Sequence, residues 1–259
     1  MTKMPTGKYA IVRGVPNSYD RCIRPSEFEN TINVDLAKTQ HALYCDILEQ
    51  LGLTLIPIDP DEGFPDCCFV EDTAIVVGDN AVISNMASKS RTGEEIEVKS
   101  TLSRYKNIYE INPPGIIDGG DALRINDKIY IGLSERTNHF AIQQFSTLIS
   151  DGGYQIIPVE IRHILHLKSA CTYIGNDYVV TSDGHFDAKT FSGYHKIIVP
   201  EKEAYSANCL SVNGKILMQK GYPNTRNLIE NEGFETIEID VSEFRKGGGS
   251  LTCLSIIFD

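Results

Sequence analysis

The sequence predicts an α/β fold in which five similar units close into a ring, and three features of the 259 residues predict it. Four segments, 68–85, 121–134, 171–183 and 208–221, share one plan: an apolar strand, a tight turn rich in Gly, Asn or Asp, and a second apolar strand. A fifth copy is split, with LTCLSIIF at 251–258 supplying one strand and KYAIVRG at 8–14 the other, a division that would close a circle. Helix-like stretches separate the copies, at roughly 28–51, 93–106, 135–152, 187–193 and 223–232. Repetition of this kind is the mark of radial architecture and is read before any domain boundary is drawn.

Each element has a local cause. The dipeptides Asp79-Asn80, Asn126-Asp127, Asn176-Asp177 and Asn213-Gly214 fall between apolar runs, where a two-residue hairpin turn needs positive φ. In the first helix Leu36, Leu43, Ile47 and Leu51 recur at helical spacing, and Gly52 supplies the stop. Helices lead into short strands such as LTLIPID, QIIPVE and TIEIDV, which gives a ββαβ-type unit. Five such units account for residues 1–259 as a single domain. The plainer alternative is an ordinary α/β domain whose hairpins merely look alike.

Composition narrows the function. With 41% hydrophobic and 23% charged residues the chain suits a globular protein with a substantial core, which sets disorder and collagen aside. Lys and Arg number 24 against 35 Asp and Glu, a net charge of −11. Phosphate binding uses basic stripes, so a nucleic-acid partner is not expected, and a small cationic ligand suits the balance better. No run approaches the ~18 apolar residues that span a bilayer, and MTKMPTGKYAIVRG lacks the apolar region of a signal peptide, so no membrane association and a cytoplasmic location are expected. Seven cysteines without a C-x-x-C pair fit neither a disulfide framework nor a zinc ribbon. Most are expected to be reduced core residues, with Cys67 and Cys68 as one buried and one exposed strand neighbour.

Polar clusters stand where the repeats begin: Asp66 with Glu71-Asp72, Asp118-Gly119-Gly120-Asp121, His166-Leu167-Lys168-Ser169, and Gly247 to Cys253. A ring would gather them at one mouth. A thiol near a cation loses its proton more readily, a histidine can carry the leaving group's proton, and a carboxylate can orient that histidine. The remaining carboxylates lack metal-ligand spacing and suit a planar guanidinium. Taken singly, Cys253 reads as a core thiol in an apolar strand and Gly119-Gly120 as a turn. Their placement on equivalent units carries the weight.

In order along the chain, FPDCCFVEDTAIV, DGGDAL, IGLSERTN, LHLKSACT, ANCL and GGSLTCLS resemble the dimethylarginine dimethylaminohydrolase family of the guanidino-group-modifying superfamily. The resemblance implies a five-bladed α/β propeller, or pentein, around a central channel. It implies Cys253 as nucleophile, His166 as general acid and base, and Asp118 as the carboxylate orienting the histidine. Asp72 would grip the guanidinium with Glu71 beside it, Asp66 would take the α-amino group, and Arg91 and Arg136 would bind the α-carboxylate. Tyr19 and Gly247 stand where the family carries a lid leucine and a bulkier residue, and would shape the side chain accepted. Lys168 stands where arginine deiminases carry an acid, which leaves room for N-methyl groups. The implied reaction is hydrolysis of a methylated arginine to citrulline and a methylamine through a covalent intermediate, with no metal or organic cofactor; a homodimer is compatible with it. The alternatives are another guanidino hydrolase, an arginine deiminase or an amidinotransferase, and, more remotely, a non-catalytic propeller.

Overall fold

The computed structural model describes residues 5–24 and 31–259. Strand β1 (Tyr9–Arg13) pairs in parallel with β2 (Thr54–Ile58). Then follow β3 (Ala74–Val77), β4 (Asn80–Ile83) and β5 (Asn107–Glu110); β6 (Ala122–Ile125), β7 (Lys128–Leu133) and β8 (Gln155–Glu160); β9 (Cys171–Gly175), β10 (Tyr178–Thr181) and β11 (His195–Ile198); and β12 (Leu210–Val212), β13 (Lys215–Gln219) and β14 (Glu235–Ile239), each set of three forming one sheet. Strand β15 (Ile256–Phe258) returns to pair antiparallel with β1, with Tyr9 opposite Phe258. The result is five three-stranded blades of one pattern: an antiparallel inner hairpin, and an outer strand parallel to the middle one. Such a parallel crossover needs a connection long enough to hold a helix. Four blades place one there: α1 (Val34–Gln50), α2 (Glu95–Leu102), α3 (His139–Leu148) and α4 (Pro223–Asn231).

The outer strands carry Pro57 and Pro158, which an edge tolerates because a ring without an N–H leaves no ladder bond unmade there. The inner strands are buried on both sides because each blade packs against two neighbours. Five apolar clusters mark the five seams. Ile11, Ile83 and Ile256 join the first and second blades; Ile75, Val82 and Ile131 the second and third. Leu123, Tyr130 and Val179 join the third and fourth; Ile174, Ile216 and Met218 the fourth and fifth; Val12, Leu217 and Ile239 the fifth and first. The apolar core is therefore a circle of seams, and the centre is left to polar turns.

Several expectations are corrected. The first helix begins at Val34, where the Asn33 side chain accepts from Leu36 N; residues 28–30 of the predicted stretch lie outside the described residues. The stretch 187–193 is a run of turns, since the Asp187 carboxylate takes the Lys189 amide and its carbonyl takes the Thr190 amide, while Phe191 is driven against Tyr130 with ring centres 4.9 Å apart. The first hairpin turns one residue earlier than Asp79-Asn80, with Gly78 at φ 57°. Asn126, Asn176 and Asn213 do adopt positive φ. Residues 251–255 are not strand: Cys253 lies in a 3₁₀ turn ahead of β15. Cys67 and Cys68 are both fully buried, and all seven cysteines are free. A short helix, α5 (Ser242–Lys246), was not expected. Among the described residues no helix is long and apolar enough to cross a membrane.

Candidate active site

A 3₁₀ turn precedes the inner strand of every blade: Val70–Thr73, Gly119–Asp121, Leu167–Ser169, Glu201–Ala207 and Thr252–Leu254. These turns touch one another around the centre, and they bring Asp72, Asp118, His166 and Cys253 together. Such close approach excludes side chains. A Cβ on Gly119 would lie 2.1 Å from the Glu71 carbonyl oxygen, and one on Gly120 would lie 2.7 Å from His166 Nδ1 and 2.8 Å from Asp72 Oδ1. Only glycine leaves space there, which is the physical content of the DGGD motif. Its last residue, Asp121, accepts from the Leu167 amide at 2.9 Å and from the Thr137 and Ser134 hydroxyls at 2.6 and 2.7 Å, fixing the turn that bears His166.

Charges alternate across the site. Glu94 receives three hydrogen bonds from Arg91 at 2.8 to 3.1 Å, and Arg91 Nη1 donates to Asp72 Oδ2 at 2.7 Å. Asp72 Oδ1 stands 3.8 Å from His166 Nδ1 and accepts from the Gly120 amide. His166 Nε2 lies 3.1 Å from Asp118 Oδ2, and Arg136 Nη1 is 3.6 Å from the same oxygen. All of these except Arg136 are buried. Burial opposes the imidazolium, but the Asp72 charge and the Asp118 hydrogen bond outweigh it, and His166 is held up to about 9. Burial, with Glu71 and Asp72 adding to it, pushes the half-buried Cys253 thiol up to about 12, against a hydrogen bond from the Ser250 amide. The resting site therefore pairs a thiol with an imidazolium.

Asp66, Asp72, Arg91, Arg136, His166 and Cys253 line one cavity, with Phe69 and Gly247 to Gly249 completing its wall. Ile23, Arg136, Leu165, Gly247 and Gly248 are shared with a wider outer cavity and so form the rim between the two. Within the site, Asp118 Oδ1 and Arg136 Nη1 are buried without a hydrogen-bond partner, and Nη1 faces Asp118 Oδ2. Asp72, Asp118 and His166 also place donor atoms within 4.8 Å of one another. A metal ion there would have to displace the proton that the two carboxylates hold on His166, since a ligating imidazole is neutral.

Known proteins resemble the chain along nearly its whole length. The profile of a family described as N,N dimethylarginine dimethylhydrolase, eukaryotic, matches residues 15–258. An N(G),N(G)-dimethylarginine dimethylaminohydrolase from Pseudomonas aeruginosa is 33% identical over 228 residues, covering 86% of this chain and 90% of that protein. One from Streptomyces coelicolor is 31% identical over 255 residues, covering 98% and 97%. The chain belongs to the dimethylarginine dimethylaminohydrolase family. A solved structure of the Pseudomonas aeruginosa dimethylarginine dimethylaminohydrolase, a mutant complexed with citrulline, superposes with a TM-score of 0.94 at 32% identity, covering 98% of this chain and 100% of that one. The N-terminal domain of ArgZ, an arginine dihydrolase from cyanobacteria, superposes at 0.88 with 21% identity and shares the pentein fold with the dimethylarginine dimethylaminohydrolases.

Of the residues expected from the dimethylarginine dimethylaminohydrolase resemblance, three sit differently from their expected place. Tyr19 is fully buried, packed on Phe69 and Phe244, and lines neither cavity. It acts from beneath: a Cβ on Gly247 would meet the Tyr19 hydroxyl at 2.5 Å, so the bulky tyrosine and the bare glycine of the rim go together. Glu71 turns away from Asp72 and ion-pairs with Lys168 in a second cavity on the other side of the centre. Arg91 lines the cavity but is bound to Glu94, Asp72 and the Phe69 carbonyl. Asp66, also in the cavity wall, accepts from the Ile23 amide at 3.1 Å. Two residues were given no role in the sequence. Glu94 is fully buried three residues after Arg91, a spacing that the SRTGE string does display; Asn208 follows the turn Glu201–Ala207 and brackets Thr252, and its signal was the ANCL string.

Proposed function

We propose that the cavity hydrolyses Nω,Nω-dimethyl-L-arginine and Nω-monomethyl-L-arginine to L-citrulline and the corresponding methylamine. The observation that carries this reading is the meeting of one thiol, one doubly flanked imidazolium and a buried carboxylate, Asp72, on the wall of a single cavity. Asp72 offers a planar cation the fixed negative charge that a guanidinium matches. Asp66 suits an α-ammonium, and Arg136, a cation of the rim, suits an α-carboxylate. Arg91, whose Nη1 and Nη2 are turned toward Asp72 and Phe69, sits where it can share that carboxylate while keeping Asp72 ionised.

The chemistry follows from the protonation states. Entry of a guanidinium adds a positive charge beside Cys253, which favours loss of the thiol proton to solvent. The thiolate attacks the guanidinium carbon, a C–S bond forms, and the C–N bond to the methylated nitrogen breaks as His166 gives its proton to the departing amine. The intermediate is an S-alkylthiouronium cation on Cys253. His166, now neutral and held in orientation by Asp118, takes a proton from water; the resulting hydroxide adds to the same carbon, the C–S bond breaks as the added hydroxyl gives its proton to the departing sulfur, and the ureido product leaves with the thiol and the imidazolium restored, while the free amine takes up from solvent the proton the thiol first released. Every proton is accounted for by the imidazole, the thiol and water, and the sequence of steps calls on no cofactor.

The test is to supply dimethylarginine, monomethylarginine, arginine and agmatine, and to measure ureido product and dimethylamine together. Dimethylamine release from dimethylarginine, lost in Cys253→Ser and His166→Ala, is the expected result; turnover of arginine alone would transfer the protein to the deiminase reading. Trapping with a halo-amidine followed by mass spectrometry is expected to modify Cys253 selectively over Cys67 and Cys209.

A further inference from the structure

We propose that Lys168 and Glu71 are positioning residues for the nucleophile: their ion pair, closed into a ring through Thr252 and Asn208, holds the turn that carries Cys253 and sets the charge its sulfur faces. The inference rests on the reading of Cys253 as nucleophile. Glu71 Oε1 lies 2.5 Å from Lys168 Nζ, and Glu71 Oε2 accepts from the Thr252 hydroxyl at 2.9 Å. Asn208 donates through Nδ2 to the Thr252 hydroxyl at 3.1 Å and to the Lys168 carbonyl at 2.9 Å, and its Oδ1 accepts from the Thr252 amide at 3.2 Å. Four residues on or beside the turns of four blades are thereby tied in a closed circuit, one of them adjacent to Cys253.

This circuit is not part of the cavity that would hold substrate. Glu71 and Lys168 line the cavity on the opposite side of the centre, with Gly119, Ser255 and the inner strands, whereas neither lines the cavity of Cys253 and His166. Nor does stability explain it, since a buried ion pair gains little over apolar residues of the same volume. What the pair does control is charge. Burial pushes the Glu71 carboxyl up, and Lys168 is the leading group that works against that rise. Of the charges acting on Cys253, Glu71 opposes the thiolate most, and Lys168 favours it. Without Lys168 the sulfur would face an uncompensated carboxylate.

The experiment is the rate of alkylation of Cys253 by iodoacetamide in substrate-free protein, from about pH 7 to 10, where thiolate fraction controls the rate, with mass spectrometry reading the site. It compares the natural chain with Glu71→Gln, Lys168→Met, the double variant and Lys168→Arg, and runs kcat and KM on dimethylarginine alongside. The expected order is Glu71→Gln fastest, then the double variant, then the natural chain, with Lys168→Met slowest, and about fivefold or more between the extremes, since one unit of thiol pKa is tenfold in thiolate. Lys168→Arg is expected to match the natural chain, and KM to move less than kcat. Coincident profiles among folded variants overturn the proposal, as does a double variant as slow as Lys168→Met. If Lys168→Met does not fold, the Glu71→Gln and double variants, compared with the natural chain, decide the order. A protein that shows this order but leaves dimethylarginine untouched would overturn the proposed reaction and not the circuit.

Discussion

The two sides of the ring's centre are built from neighbouring residues of the same turns. Asp72 and Gly120 meet His166 on the cavity side, while Glu71 and Gly119, each one position earlier, border the opposite cavity. The cavity side leaves Asp118 Oδ1 and Arg136 Nη1 without a hydrogen bond, Nη1 facing Asp118 Oδ2 at 3.6 Å, whereas on the far side both Glu71 oxygens are taken, by Lys168 and Thr252. A short turn that alternates its side chains thus separates a carboxylate facing His166 and Arg91 from one tied to Lys168 and Thr252. Sequence adjacency and shared residue type say nothing about which side a carboxylate serves; the identity of its partners does, since Asp72 and Glu71 each have both oxygens bonded.

The largest expected break of this contrast is Asp72→Asn, which keeps shape but removes the charge facing the ligand; kcat/KM should fall on the order of a thousandfold, as for loss of a buried charged contact to a reacting cation. It also removes the leading charge that holds His166 up, so NMR titration of the His166 ring should show it losing its proton below the value of about 9 held in the natural chain. The two glycines sharpen the comparison further. Gly120→Ala would wedge a methyl between His166 and Asp72 and is expected to cost activity roughly a hundredfold with little change in Tm, because the obstructing atoms are side chains that can shift. Gly119→Ala meets a backbone oxygen at 2.1 Å and should instead lower stability by about 1–3 kcal/mol.

Stability against pH offers a subtler test. His166 is raised from 6.5 to about 9 in the folded chain, so its contribution is fully present below 6.5 and is lost as pH rises through 9. Chemical denaturation across that window should show a decline on the order of 3 kcal/mol, flattened in His166→Gln. The smallest effect is expected at the rim: Arg136→Lys keeps the charge but not the planar fork, and should raise KM about tenfold with kcat held.

Much of the ring was legible because hairpins and amphipathic helices write their causes locally. Asn126, Asn176 and Asn213 do turn at positive φ, and the blade split between the two ends of the sequence follows from the apolar runs at 8–14 and 251–258. The first turn slipped by one because Gly78 outcompetes the Asp79-Asn80 pair, and 187–193 lost its helix because the Asp187 side chain and carbonyl capture the backbone while Phe191 is pulled into an aromatic cluster. The motif residues of the site were legible as letters, yet the facing of Glu71, the burial of Tyr19 and the role of Asn208 depend on partners far along the chain, such as Lys168 for Glu71 and Thr252 for Asn208.

The pairing of β1 with β15 has a consequence for how the protein comes to be active. Tyr9 and Phe258 are joined across nearly the whole described chain, and contacts of such high sequence separation carry a large loop-closure cost and form late. Cys253 lies just ahead of that strand, so the nucleophile docks only when the last blade is completed. Recovery of thiol reactivity at Cys253 should lag behind secondary structure during refolding, and a circular permutant opened in an outer loop such as 187–193, with β15 and β1 linked in sequence, should bring the two signals together.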